Sequence, residues 1–141
     1  MKRCVRTAAA VLLAVLAAAC AGEGSTGGPA PTTTPPGPVD ETVEISMQDI
    51  RFRPDALTVR AGTTVRFVFK NDGDLEHNAH FGDEASQQAV ESGRQPRDGV
   101  SAGPNQTKTY TRRFDNPGSL VIGCHVAGHY EAGMRIRLTI S

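Results

Sequence analysis

The chain has 141 residues, of which 15 are basic and 15 acidic, and only 5% are aromatic. That length leaves room for one domain once a processed segment is removed. Residues 1–19 contain three basic and no acidic side chains, so the remainder carries 12 basic and 15 acidic residues, a balance of −3. A slightly acidic protein of this kind lacks the positive charge that nucleic-acid binding requires.

The first nineteen residues have the pattern of an export signal. Basic side chains stand at Lys2, Arg3 and Arg6, an apolar run follows at 8–16, and small residues precede Cys20. Roughly a dozen apolar residues are too few for a membrane helix, which needs about 20. We therefore expect residues 1–19 to be a signal peptide and the protein to act outside the cytoplasm.

The residues around Cys20 resemble the lipobox of bacterial lipoproteins. The signal ends in Leu-Ala-Ala-Ala-Cys, with Ala17 where that family prefers Leu. The resemblance implies that Cys20 is acylated and anchors the protein to the outer face of the cytoplasmic membrane or cell envelope, because several acyl chains together anchor stably. The alternative is an ordinary signal peptide in which Cys20 has no such role.

Residues 20–38 are rich in Gly, Pro, Thr and Ser, which predicts a solvated tether between the anchor and a folded domain. The domain is expected to occupy residues 39–141. Since Cys4 belongs to the signal and Cys20 is the expected lipid site, Cys124 is left as the single thiol of this domain. No disulfide within the domain is therefore expected.

Apolar and polar residues alternate in short runs through the domain, which is typical of strands with one buried face. Turn signals such as Asn71-Asp72-Gly73 and Asn116-Pro117-Gly118 separate the runs. About seven to eight such strands predict an all-β sandwich, with one short helix at residues 85–92. Six of the runs lie at 43–47, 57–59, 65–69, 110–114, 120–124 and 134–140.

Three side chains near the C-terminus indicate a metal site. Cys124, His129 and Met134 are spaced five and five apart. A thiolate, an imidazole and a thioether together favour copper, and two histidines, a cysteine and a weak axial methionine form the blue-copper arrangement. Zinc fits less well, because structural zinc sites prefer several thiolates or imidazoles.

The remaining ligand must come from upstream in the chain. His77 and His80 both follow the turn at residues 71–73, and on geometry alone either imidazole could serve. The sequence pattern by itself therefore leaves this ligand open between the two.

The stretch from Val43 to Ile140 resembles the cupredoxins, the family of plastocyanin, azurin and rusticyanin. The resemblance rests on residues 52–65, on His77-Asn78 and on Cys124-x4-His129-x4-Met134. It implies a cupredoxin-like Greek-key β-sandwich holding one type 1 copper per chain. Within this family the matching residues, His77 rather than His80 among them, are the four ligands, and Asn78 ties the two ligand segments together.

The same resemblance implies a function. The expected role is one-electron transfer between redox protein partners, without catalysis of a substrate reaction, by a monomer held at the membrane through its lipid. The His129 ring edge would be the electron portal. Copper storage, delivery or sensing on the same fold is the alternative, as is service as an accessory domain of a respiratory or nitrogen-oxide enzyme.

His125 departs from the pattern of small electron carriers. Its position beside Cys124 is similar to the last ligand run of multicopper oxidases, but a trinuclear cluster needs more than the four histidines of this chain. Since neighbours on a strand point to opposite faces, His125 is expected to be an outward-facing loop residue. The alternative is that it, like His80, serves as an accessory metal contact or part of an electron path.

Overall fold

The computed structural model describes residues 38–141, which form nine strands and one helix. In chain order these are β1 Glu41–Gln48, β2 Arg51–Arg53, β3 Ala56–Val59, β4 Thr63–Asn71, β5 His77–Gly82, α1 Glu84–Glu91, β6 Gly99–Ala102, β7 Thr107–Phe114, β8 Gly118–Gly123 and β9 Arg135–Ile140. The predicted signal peptide, Cys20 and all of the tether except Pro38 lie outside the described residues. Within residues 38–141, no helix is long and apolar enough to cross a membrane.

The strands form two sheets packed face to face. One has the order β2-β1-β4-β7 and the other the order β3-β9-β8-β5-β6. The predicted all-β Greek-key sandwich is confirmed. The described residues contain nine strands rather than seven or eight because β2 and β6, of three and four residues, are too short to show a period of alternation.

The core lies between the sheets and is built from the alternating residues of the longer strands. Phe67 and Phe69 of β4 are fully buried, and the Phe67 ring packs on Phe81 of the opposite sheet with ring centroids 5.0 Å apart. Ile136 and Leu138 of β9 are buried from the other side, while Arg135 and Arg137, which alternate with them, are exposed. Burial of this apolar surface is the main stabilising contribution to the sandwich.

Helix α1 covers part of the outer face of the second sheet, where it contacts β5 and β8. It begins after Asp83, whose side chain accepts a 2.7 Å hydrogen bond from the Ser86 amide, as an N-cap residue does. It buries Gln87 and Val90 against the sheet. The helix predicted at residues 85–92 is thus present, displaced by one residue.

Three neighbouring strands bring distant residues to one end of the sandwich. In the order β9-β8-β5, strand β5 begins at His77, β8 ends one residue before Cys124, and β9 begins one residue after Met134. The pairing is antiparallel, with His80 opposite Gly123 and Gly123 opposite Arg135. Antiparallel neighbours place the start of one strand beside the end of the next, so these residues meet.

The central position of Phe67 gives a test of the packing. Replacing Phe67 with Ala should lower the free energy of unfolding by about 3–5 kcal/mol, because it removes a ring that contacts both sheets and leaves a cavity. Urea unfolding of the purified protein would measure this loss. The adjacent Val68 faces away and is partly buried, so Val68→Ala is the control and should cost clearly less; equal losses would contradict this account of the core.

Candidate metal centre

Three side chains converge at the end of the sandwich described above. His77, Cys124 and His129 are buried, and their candidate ligand atoms all lie within 4.8 Å of one another. The Cys124 Sγ is 3.9 Å from His77 Nδ1 and 3.5 Å from His129 Nδ1. One sulfur and two nitrogens facing a common point form a set of donors suited to a single metal ion.

Met134 is fully buried at the same end, on the loop that closes over the cluster. Its backbone carbonyl accepts a 3.1 Å hydrogen bond from the Cys124 amide, and its own amide donates to the His129 carbonyl at 3.0 Å. Gly133 precedes it with φ +92°, a left-handed conformation that other residues rarely adopt. The backbone thus fixes the three C-terminal residues of the predicted ligand set against one another.

Asn78 connects the two segments that contribute to the cluster. Its backbone amide donates a hydrogen bond to Cys124 Sγ at 3.4 Å, and its side-chain Oδ1 accepts one from the His125 amide at 2.8 Å. The first bond stabilises negative charge on the sulfur, and the second holds the chain just beyond Cys124. Asn78 therefore fixes the position of the thiol relative to His77.

Burial shifts the acid–base behaviour of the cluster. It lowers the pKa of His77 below its ordinary 6.5, with the neighbouring His129 adding to the effect. It also raises the pKa of the Cys124 thiol above its ordinary 9.0, although backbone hydrogen bonds from Asn78 and Val126 oppose the change. A bound cation would replace the thiol proton and compensate for the charge of the buried thiolate. The site therefore favours a thiolate bound to a metal ion over a thiolate without a counter-charge.

His80 does not join the cluster. It is three residues from His77 on strand β5, and an odd spacing puts the two rings on opposite faces of the sheet. Its Nδ1 lies 3.1 Å from the Asp98 carbonyl oxygen and its Nε2 lies 3.1 Å from Ser86 Oγ. The ring is therefore occupied by protein contacts beneath helix α1, and its role as an accessory metal contact has no geometric support.

The expectation that His125 faces outward is wrong. Its side chain is 3% exposed. The Nε2 atom lies 2.6 Å from Gln87 Oε1 and the Nδ1 atom contacts a carboxylate oxygen of Glu91. The residue does point away from the cluster, but helix α1 covers that face, and strand alternation gives no information about what covers a face.

Sequence reasoning missed the three residues that surround the His125 ring, namely Gln87, Glu91 and Tyr130. The Tyr130 ring stacks on His125, with centroids 4.9 Å apart and planes 17° from parallel. Gln87 and Glu91 lie four residues apart on one face of the helix. That spacing was visible in the sequence, but nothing there connects it to residues some 40 positions downstream.

Comparison with known proteins shows the family. The sequence profile of the family described as multicopper oxidase matches residues 29–141, which is most of the chain. The chain belongs to this family and is a cupredoxin-type copper protein. Copper is therefore its cofactor, and the sulfur and two nitrogens of the cluster are donors that copper prefers.

Two curated relatives are similar in sequence. The copper-resistant cuproprotein CopI of Rubrivivax gelatinosus is 37% identical over 102 residues, covering 66% of this chain and 62% of the relative. The protein of the same name from Pseudomonas aeruginosa is 28% identical over 136 residues, covering 70% of this chain and 75% of the relative. The chain thus spans less than two thirds of the length of the first.

Solved structures of the same fold include two auracyanins. Auracyanin B has a TM-score of 0.65 at 23% identity, covering 74% of this chain and 91% of that one. Auracyanin of Roseiflexus castenholzii has a TM-score of 0.63 at 25% identity, covering 74% of this chain and 99% of that one. The cupredoxin-like fold expected from the sequence is thereby confirmed.

The pKa directions predict how the stability of the copper-free protein depends on pH. His77 and His80 both have a lowered pKa in the folded state. The unfolded chain then binds more protons, and stability should decline as pH falls below about 6.5. Because the Cys124 pKa is raised, the unfolded thiol ionises first, and stability should also decline as pH rises beyond about 9.

Urea unfolding of the copper-free protein at about pH 5, about pH 7.5 and about pH 10 would measure both branches. Cys124→Ser removes the ionisable thiol, so it should reduce the alkaline decline and leave the acidic one. Burial also raises the pKa of Tyr130, which contributes the remaining alkaline decline. An increase in the free energy of unfolding as the pH falls from about 6.5 to about 5 would contradict the assignment of buried, neutral histidines.

Proposed function

We propose that the protein transfers single electrons through one type 1 copper site whose ligands are His77, Cys124, His129 and Met134. The observation that carries the proposal is the buried convergence of one thiol and two imidazoles within 4.8 Å, beside a buried methionine. Two histidines, a cysteine and a weak axial methionine are the donor set of electron-transfer copper sites.

Copper bound there would supply the one-electron change between Cu(I) and Cu(II). The protein's contribution is to keep the ligands in one arrangement for both states. His77 and Cys124 are attached to paired strands, and the amide of Asn78 on Cys124 Sγ tunes the charge of the sulfur. Because the ligands cannot relax far, little reorganisation accompanies each transfer.

The surface above the site is suited to brief contact with a redox partner. His129 is 6% exposed, so an edge of the residue reaches the surface. Leu75, two residues before His77 in the chain, is 50% exposed. Gly128 and Ala132 of the ligand loop, residues 124–134 between β8 and β9, are also exposed. Small and apolar residues around a portal allow close approach over a small interface, as transient electron-transfer complexes require.

We assign no substrate reaction to the chain, although its family is named for oxidases. A trinuclear copper cluster requires many imidazoles, and the full sequence has four histidines. Two of these lie in the cluster, and the rings of His80 and His125 are both held by protein groups. The residues therefore support one mononuclear site.

The proposed location is outside the cytoplasmic membrane, with the protein a monomer tethered through a lipid on Cys20. The export signal at residues 1–19, the lipobox resemblance and the Gly-, Pro-, Thr- and Ser-rich composition of residues 20–38 support this location and anchor. Its partners would be redox proteins in the same compartment rather than nucleic acids. A tether raises the local concentration of the domain near membrane-bound partners.

Copper storage, delivery or sensing is the second candidate. It is favoured by the similarity to two proteins named copper-resistant cuproprotein CopI. A handling protein could use the same ligands, but it would not need fast, reversible exchange between the two oxidation states. The two functions therefore differ in electrochemistry rather than in the identity of the ligands.

Spectroscopy of the copper-loaded protein tests the proposed site. The oxidised protein should show an intense visible band from charge transfer between the Cys124 thiolate and Cu(II), and Cys124→Ser should abolish it. Met134→Leu should keep the band but raise the reduction potential, because loss of the thioether donor destabilises Cu(II). Met47→Leu is the matched control, since Met47 is equally buried but lies in the other sheet.

A colourless Cu(II) form of the unmodified protein would contradict the type 1 site. Cyclic voltammetry then separates the two functions. A reversible couple at moderate scan rates supports electron transfer, whereas tight Cu(I) binding without a reversible couple would favour copper handling.

A further inference from the structure

Gln87 of helix α1 has a fully buried side chain, and both its amide nitrogen and its amide oxygen have hydrogen-bonding partners. Its Nε2 donates to the carbonyl oxygen of Val121 at 2.8 Å and to that of His80 at 3.1 Å. The amide nitrogen therefore faces the strands, and Oε1 must be the atom that faces His125 Nε2 at 2.6 Å. A buried amide satisfied on both sides holds its partner in one orientation.

The two residues that follow two of the proposed ligands are packed together beneath this helix. His125 follows Cys124, Tyr130 follows His129, and their rings stack with centroids 4.9 Å apart. The packing around Gly123 leaves no room for a side chain. A Cβ atom on Gly123 would lie 2.6 Å from Gln87 Oε1 and 2.7 Å from the Tyr130 ring. The packed side chains of Gln87, His125 and Tyr130 thus support both the start and the middle of the ligand loop.

His125 is held from two directions. Its ring is bound by Gln87 and contacts Glu91 on the helix side, while its backbone amide donates to Asn78 Oδ1 at 2.8 Å on the side of strand β5. Because His125 is covalently joined to Cys124, fixing both its ring and its amide fixes the peptide that carries the thiol. Displacement of the Cys124 backbone away from the imidazoles would break these contacts.

We propose that Gln87 is a positioning residue for the copper site, acting through His125 to fix the direction of the Cys124 sulfur. The proposal rests on the proposed function, because it takes Cys124 as a copper ligand. It gives helix α1 a role: the helix serves as a rigid support for the ligand loop on the face opposite the copper. It also gives His125 a role that requires neither metal binding nor electron conduction.

The test uses the copper-loaded full chain with Gln87→Met, which keeps the length of the side chain but removes both polar ends. Copper should pass to a chelator about tenfold faster than from the unmodified protein, and the relative intensities of the thiolate charge-transfer bands should change. Gln88→Met is the matched control, because Gln88 is exposed on the same helix. It should change neither measurement.

A double-mutant cycle tests whether the effect passes through His125. His125→Phe keeps a ring to stack on Tyr130 but loses both ring nitrogens. If Gln87 acts through His125, the double variant should release copper no faster than the more affected single variant. Effects that multiply in the double variant, or a Gln87→Met protein identical to the unmodified one, would overturn the proposal.

Two further measurements separate positioning from general destabilisation and from failure of the copper assignment. In the copper-free protein, the amides of Cys124 and His125 should exchange hydrogen about tenfold faster with Gln87→Met, while core amides of β4 keep their rates. If Gln87→Met does not fold, Glu91→Ala replaces it, since Glu91 is partly exposed at the helix end. No charge-transfer band in the unmodified protein would refute the proposed function, whereas a band unaffected by all variants would refute this inference alone.

Discussion

The structure depends on a buried thiol that lies between two imidazoles, in a site where burial disfavours the charged forms of His77 and Cys124. Burial lowers the pKa of His77 and raises that of Cys124. Without a cation, the thiolate would carry an uncompensated charge in a low-dielectric interior, which is costly. A metal ion removes the thiol proton and neutralises the charge, so folding prepares the site for its cofactor.

Strand order makes this site possible. The strands β9, β8 and β5 are neighbours, although a long segment separates β5 from β8 in the chain. Antiparallel pairing puts the start of β5 beside the end of β8 and the start of β9. His77, Cys124 and Met134 lie at or next to these strand ends, and His129 lies on the loop between β8 and β9. The packed core of Phe67, Phe69 and Phe81 holds the two sheets together, and with them the end that carries the ligands.

A second layer lies outside the sheet, where helix α1 covers the face opposite the cluster. His125 and Tyr130, which directly follow two of the proposed ligands, pack there with Gln87. Support from both faces of the sheet would explain how a loop with exposed Gly128 and Ala132 can hold a metal in a fixed arrangement. It also links the short polar helix to function, although the helix touches none of the proposed ligands.

The sequence by itself determined the sandwich and indicated copper as the cofactor, and it predicted three of the proposed ligands. Strand alternation is local, and Cys124, His129 and Met134 lie within one short loop. The residue pattern left His77 and His80 open, and the cupredoxin resemblance favoured His77; the tertiary structure places His77 in the cluster and His80 on the other face of β5. It alone placed His125 under a helix, since a cover from residues 34 and 38 positions away leaves no periodic signal in the sequence.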